Sequence, residues 1–360
     1  MSRRNTGSTA LEQLAKELWE GVLGLDEAAV ITAVLGALDE GVDAESVLLD
    51  VIAPLQGRVG EEWAANRITV AQEHAATAIN ERAVAALAQH PSARAPRTRG
   101  RVTVACVDGE WHALPARLLA EVLRLRGWHV DYLGAQVPTP HLVAHLHRTG
   151  PDAVALSGSI ATRLPTAHAT ITACQAAGTP VLVGGAAFGP DGRYARLLGA
   201  DAWAPDARTA ADDLARAPLP RPQPDHQAID DLPHLSDQEY TLVARTRPQL
   251  VRVVFTGLED AYPAMRDYTE PQRERTAEDL AHIVEFLAVA LYTDDEDLFT
   301  GFIRWTADVL TSRGVPARSL LPALALLGRE LKDFPRAAGI LRSGSARLTS
   351  SPLTAAGTAG

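Results

Sequence analysis

Cysteine is nearly absent from this chain of 360 residues: Cys106 and Cys174 are the only two. Two thiols cannot build a disulfide framework or a four-ligand zinc site, and their scarcity points to a reducing, cytoplasmic setting. Aromatic residues make up only 5%, so each tryptophan needs a reason to be where it is. Positive charge is in deficit. The 34 Lys and Arg residues face 44 Asp and Glu, for a formal charge of −10. That is the wrong sign for a surface that tracks nucleic-acid phosphates. No apolar run approaches the ~18 residues of a membrane-spanning helix, and residues 1–10 carry no apolar segment of a secretory signal. Neither a nucleic-acid nor a membrane partner is expected. What remains, 46% apolar and 22% charged residues, is ordinary for a globular chain of two or three domains.

Three regions follow from periodicity. Residues 8–90 read as a bundle of about four helices: Leu11, Leu14, Leu18, Val22 and Leu25 recur at helical spacing. Asp26 and Thr69 stand as caps of later helices, and a third helix is expected to end near Pro54 or Gly57. Residues 91–100 are a linker by composition. Residues 101–216 alternate strand and helix, with strands at 101–107, 130–133, 153–157, 180–184 and 202–203. Such alternation implies a parallel, doubly wound, Rossmann-like sheet whose ligands sit beyond the carboxyl ends of the strands. After a Pro- and Asp-rich linker at 217–236, residues 237–342 return to helix. The Ser/Thr/Ala/Gly-rich tail, 343–360, is expected to be disordered.

The chemistry lies in the strand-end loops. Glu110-Trp111-His112 follows the first strand. A neutral imidazole is a good transition-metal ligand, and a carboxylate two residues away can hold its other nitrogen and fix its tautomer. On its own a loop histidine is usually a surface residue. Here it has company: Leu133-Gly134 with Val137-Pro138 after the second strand, Ser157-Gly158-Ser159 after the third, Gly184-Gly185 after the fourth. The run Glu-x-His-x-x-Pro at 110–115 is similar to the Asp/Glu-x-His-x-x-Gly signature of cobalamin-binding domains. Ser157 resembles that family's Ser-x-Leu serine, and Gly184-Gly185 its glycine pair. The resemblance covers residues 8–215. It implies base-off cobalamin with His112 as the metal ligand, the cofactor's tail beside Ser157, and room for it at the glycines. Pro115 and Ser159 depart from the usual glycine and leucine; neither removes a ligand.

In the helical region Trp63 is followed ten residues later by Glu73-His74. Read alone, these are a core indole and a solvated helix turn. The spacing resembles the Trp-x9-Glu-His pattern of CarH-type light sensors, which implies a lid over the 5′-deoxyadenosyl group of adenosylcobalamin. The residue after the tryptophan is a histidine in that type and Ala64 here.

In the third region, Phe286, Phe302 and Trp305 read as core, and arginines stand near helix starts. Helical lid, cobalamin domain and globin-like helical domain in this order resemble the photocobilins. That resemblance implies a biliverdin in the third region, with Tyr262, Arg266, Tyr268, Arg273, Arg275 and His282 as candidate contacts. With no cysteine beyond Cys174, a thioether there is excluded, so biliverdin would bind non-covalently. A haem on His282 stays open as an alternative. The expectation is a non-enzymatic photoreceptor whose oligomeric state changes with light, acting on a separate signalling protein. A corrinoid methyl carrier and a non-photochemical cobalamin or haem module stand beside it. With nothing resembling a helix-turn-helix ahead of the bundle, direct DNA binding is not expected.

Overall fold

The computed structural model describes residues 2–222 and 232–350, with side chains from Thr9 onward. The chain divides into two compact units, residues 1–231 and 232–360.

The first unit opens with α1 (Ser2–Leu23) and α2 (Glu27–Asp39). Leu14, Leu18 and Val22 on one, Val30, Val34 and Leu38 on the other, repeat every fourth residue and are buried. Asp26 caps α2 through the Ala29 N–H. A short α3 (Ala44–Ser46) passes through a π-helical turn (Val47–Ile52) into α4 (Ala53–Ala64). This is longer than composition suggested. Pro54 does not end the helix because it sits in the first turn of α4, directly after the wider π turn, where Ala53 N–H reaches back to Leu48 O. Gly57 is exposed, with nothing near the place of a Cβ, so it costs only its intrinsic ~1 kcal/mol. Trp63 therefore stands on a helix end. Helix α5 (Val70–Gln89) starts at the expected Thr69, which forms a reciprocal capping box with Gln72.

Five strands follow: β1 (Arg101–Cys106), β2 (His129–Gly134), β3 (Ala153–Ser157), β4 (Val181–Gly184) and β5 (Ala202–Ala204). All pairings are parallel, in the order β2-β1-β3-β4-β5. The connecting helices are α6 (Leu114–Leu125), α7 (Thr139–Thr149), α8 (Leu164–Ala176) and α9 (Arg193–Leu197), and α10 (Ala207–Arg216) closes the unit. Helices α6 and α10 pack together, as do α7 and α8. The order reverses between β1 and β3, where Cys106 pairs with Ser157; this switch point opens the crevice used by ligands.

The bundle and the sheet share one apolar core, including Leu18, Val34, Leu48, Ile52, Leu87, Val104 and Leu123. Helix α5 runs beside α6 in the same direction. Ser92, just past α5, shares a surface pocket with Leu125 and Arg126 at the end of α6. Glu81 lies close enough to Tyr132 to act on its phenol, and that hydroxyl donates to Ala113 O at the start of α6. Glu73 then stands about 12 Å further along the axis, at about 1.5 Å per residue, beyond the strand ends.

The second unit holds α11 (Glu239–Ala261), α12 (Glu270–Thr293), α13 (Glu296–Ser312), α14 (Leu320–Glu330) and α15 (Pro335–Ser350) around Val254, Leu287, Phe299, Ile303 and Leu327. Helix α15 corrects the expected disordered tail over 343–350. Leu341 and Gly344 are buried, and a Cβ on Gly344 would lie 2.8 Å from the Phe299 ring, so the tail is a close-packed helix. Residues 351–360 and 223–231, the middle of the second linker, lie outside the described residues. Residues 233–237 form a 3-10 turn. No helix among the described residues is long and apolar enough to cross a membrane.

Candidate cofactor site at the strand ends

Glu110 is fully buried at the end of β1. One carboxylate oxygen accepts from His112 N at 2.9 Å and stands 2.6 Å from His112 Nδ1. The other accepts from Ser159 N at 2.8 Å and Ile160 N at 3.1 Å. Burial pushes this carboxyl up, but the His112 ring and these backbone donors outweigh it and hold it at about 2. The carboxylate is ionised, so His112 carries its proton on Nδ1 and presents Nε2 as a lone pair. The ring is one-third exposed and stacks on Trp111 at 3.8 Å, itself half exposed. Beneath it, the Cys106 thiol lies 3.7 Å from His112 O. Burial and the Glu110 charge push that thiol up to about 12, so it is no thiolate ligand. Among the described residues no three His, Cys, Asp or Glu side chains form a metal cage. His112 can thus offer one ligand to a metal brought in by a larger group.

The neighbouring loops are tied to this one. Gln136 N–H donates to Glu110 O, and Asp108 accepts from Thr139 N at the start of α7. Gly134, at φ +80°, makes the turn out of β2, and Val137 follows, half buried. Ser157 is buried at the end of β3, in register with Gly184. Ser159 contributes its backbone N–H to Glu110, a role that depends on no side chain. Gly185 has φ +98°, and a Cβ there would lie 2.3 Å from Gly158 O. On that side the β3 and β4 loops touch, so the close approach of the two backbones requires glycine here.

At the bundle end, Trp63 is half buried against the core. Glu73, one turn into α5, lies 2.5 Å from His74 Nδ1 through one oxygen and accepts from Thr77 Oγ1 at 3.0 Å through the other. His74 is largely exposed. Helix α5 carries Glu73 and His74 past the start of α6, which follows the β1 loop that holds His112.

In the second unit the candidates divide. Tyr262 and Tyr268 are hydrogen-bonded; burial and that partner push the Tyr268 phenol up. Arg273 pairs with Glu259 and lies over Phe255. Nine positions along α12, His282 lies roughly 180° around the axis; it is exposed and pairs with Glu285, which raises its pKa. Arg275 shares the His282 face, and Arg266 is exposed in the 3-10 turn before Tyr268. The six residues therefore form no single cluster. Phe286 and Phe302 stack face to face at 3.8 Å, with Trp305 6.2 Å from Phe302 and half exposed.

Comparison with known proteins bears on the first unit. Two sequence models, both described as B12 binding domain, match residues 14–88 and 100–215. The HTH-type transcriptional repressor CarA of Myxococcus xanthus is 32% identical over 180 residues, 48% of this chain and 58% of that protein. The HTH-type transcriptional repressor CarH of the same organism is 35% identical over 181 residues, with the same two shares. The chain thus spans 58% of the length of the curated relatives it matches. Among solved structures, the Methanosarcina barkeri monomethylamine corrinoid protein shares the fold, with a TM-score of 0.50 and 20% identity over 57% of this chain and 98% of that one. The first unit consists of B12-binding domains.

Proposed function

We propose that this chain is a non-enzymatic light sensor that binds adenosylcobalamin between the α4–α5 end of the bundle and the β1 loop. The observation that carries the reading is the pairing of two arrangements at one end of the first unit. The buried Glu110 carboxylate leaves His112 Nε2 free to ligate, and Trp63, Glu73 and His74 stand beyond the strand ends. When bound, adenosylcobalamin supplies a cobalt–carbon bond that light breaks. His112 would hold cobalt from below in place of the cofactor's own base, with Glu110 fixing its tautomer and Trp111 bracing its ring. Trp63 would give the adenosyl group a flat apolar surface, and Glu73 with His74 its polar contacts. Losing those contacts would release α4 and α5 and change how copies of the chain associate, the signal passing to a separate protein. Similarity to CarA and CarH supports the sensing role. Their repressor activity is not carried over, because the matched region is half of this chain and the net charge is −10. Ala64 means that any upper ligand after illumination differs from the histidine at that place in CarH-type sensors.

We further propose that the second unit binds biliverdin non-covalently, beside the Phe286–Phe302–Trp305 stack and with some of the Tyr262, Arg266, Tyr268, Arg273, Arg275 and His282 set.

Reconstitution of the full chain with adenosylcobalamin in the dark should give a base-off spectrum that changes on green illumination, and His112→Ala should abolish the base-off form. A spectrum indifferent to light would remove the sensing role. Biliverdin added to the apoprotein should give a protein-bound red band; its absence would remove the second pigment.

A further inference from the structure

Helices α4 and α5 carry a line of polar side chains that a bundle held only by apolar packing has no use for. Asn80 is fully buried and donates Nδ2 to Gln56 Oε1 at 2.8 Å. Gln56 donates Nε2 to Thr77 Oγ1 at 2.7 Å. Thr77 donates to Glu73 Oε1 at 3.0 Å, and Glu73 Oε2 lies 2.5 Å from His74 Nδ1. The direction of each link is forced from the outer end. An ionised carboxylate only accepts, so Thr77 must donate to it. The threonine oxygen must then accept from the Gln56 amide nitrogen, which turns the Gln56 carbonyl toward Asn80 Nδ2. The same constraint leaves Asn80 Oδ1 buried and without a hydrogen-bond partner. Native folds seldom retain such an orphan without a use for the network that creates it.

Donors aligned head to tail polarise one another, and the line ends on the carboxylate that the proposed function places against the adenosyl group. A glutamate on a helix surface otherwise samples several rotamers. We infer that Gln56, Thr77 and Asn80 are positioning residues that aim the Glu73 carboxylate and thereby set a preference for adenosylcobalamin over methylcobalamin. This inference rests on the upper-face reading above. A purely structural ladder would stabilise the bundle without distinguishing between cobalamins that differ only in the upper group.

The test is dark titration of the full-length chain with adenosylcobalamin and with methylcobalamin, followed by absorbance, with apoprotein melting measured alongside. The wild-type chain should bind the adenosyl form more tightly. Thr77→Val should lose roughly tenfold in adenosylcobalamin affinity, the worth of one charge-assisted link, and Gln56→Met, which removes the neutral link behind it, roughly fivefold, with methylcobalamin affinity unchanged in both. Thr77→Ser, which keeps the hydroxyl, should restore the preference. Gln56 and Thr77 are both half buried; Thr77→Val strands no fully buried group and should fold even where Gln56→Met, which leaves the buried Asn80 Nδ2 without its acceptor, does not. If the wild type prefers the adenosyl form and both variants keep that preference, or if both cobalamins weaken equally, the inference fails while the upper-face reading stands. If the wild type binds the two alike, the upper-face reading fails and takes the inference with it.

Discussion

Replacing Glu110 by glutamine would remove one charge while keeping the shape of the side chain. The carboxylate is buried and has four nitrogens against it: His112 N and Nδ1, Ser159 N and Ile160 N. It sits at about 2, against 4.5 for an ordinary glutamate. That difference corresponds to about 3 kcal/mol of preference for the ionised form in the folded chain. The folded state holds this proton less tightly than the unfolded chain does. The stabilisation is therefore complete above about pH 4.5, shrinks as the pH falls, and is gone below about pH 2. An amide cannot take over. Whichever way it turns, its NH2 group faces two N–H donors, on the His112 side or on the Ser159–Ile160 side. Glu110→Gln should cost about 3 kcal/mol near neutral pH, a large fraction of an ordinary domain's ~5–15 kcal/mol. Urea unfolding of the first unit measures the loss, and hydrogen exchange at the Ser159 and Ile160 amides localises it. The variant should also lack the fall in stability between about pH 4.5 and pH 2. Cobalt coordination through His112 should weaken by roughly 10- to 100-fold, as when such supporting partners are removed elsewhere. A variant within about 0.5 kcal/mol of wild type, with the same acid profile, would refute the claim that this buried charge holds the loop.

Two further perturbations probe the supports of each unit. Arg126 holds Glu45 at 2.7 and 2.9 Å and pairs with Asp212; Arg208 joins Glu45 to Asp50. The Arg126 hydrogen bond to Glu45 outweighs burial and keeps that carboxyl below its usual range. Arg126→Met should cost about 1–2 kcal/mol, and high salt should narrow the gap to wild type; a gap indifferent to salt in urea midpoints would count against an electrostatic tie. In the second unit, buried Glu239 accepts from Arg336 N at 3.2 Å and Ala337 N at 2.8 Å at the start of α15. Glu239→Gln should cost about 1–2 kcal/mol and expose α15 to protease, and unchanged cleavage would show that the cap is dispensable.

Much of the first unit is written locally. Strands β1, β3 and β4 lie where apolar runs punctuated by turns put them, because a strand buried on both faces must be apolar along its length; the edge strands β2 and β5 are only partly buried. The Thr69–Gln72 cap is a spacing of three. Glu110 and His112 are two residues apart, so their pairing follows from the motif itself. Other features carry no local trace. Ser159 and Ile160 serve Glu110 through backbone N–H groups that any residue possesses. His145 lies on what reads as a solvated helix face, yet bonds to Asp131 on β2 at 3.1 Å. In the second unit, candidates chosen by residue type alone fall on opposite faces of α12, since type says nothing of angle around the axis.

The amino-acid order alone determined the element sequence, the parallel sheet and the histidine–carboxylate pair at its edge, because each depends on periodicity or on neighbours within a few positions. Tertiary structure alone decided how the helical bundle meets the sheet. Helix α5 runs parallel to α6 and is eight residues longer, so its first turns, which carry Glu73, extend past the start of α6. Gln56 meets Thr77 and Asn80 from 21 and 24 positions away. Gly158 and Gly185 let two loops close on each other. Those contacts arise where separate elements pack, and packing is set by the shared core rather than by any one segment.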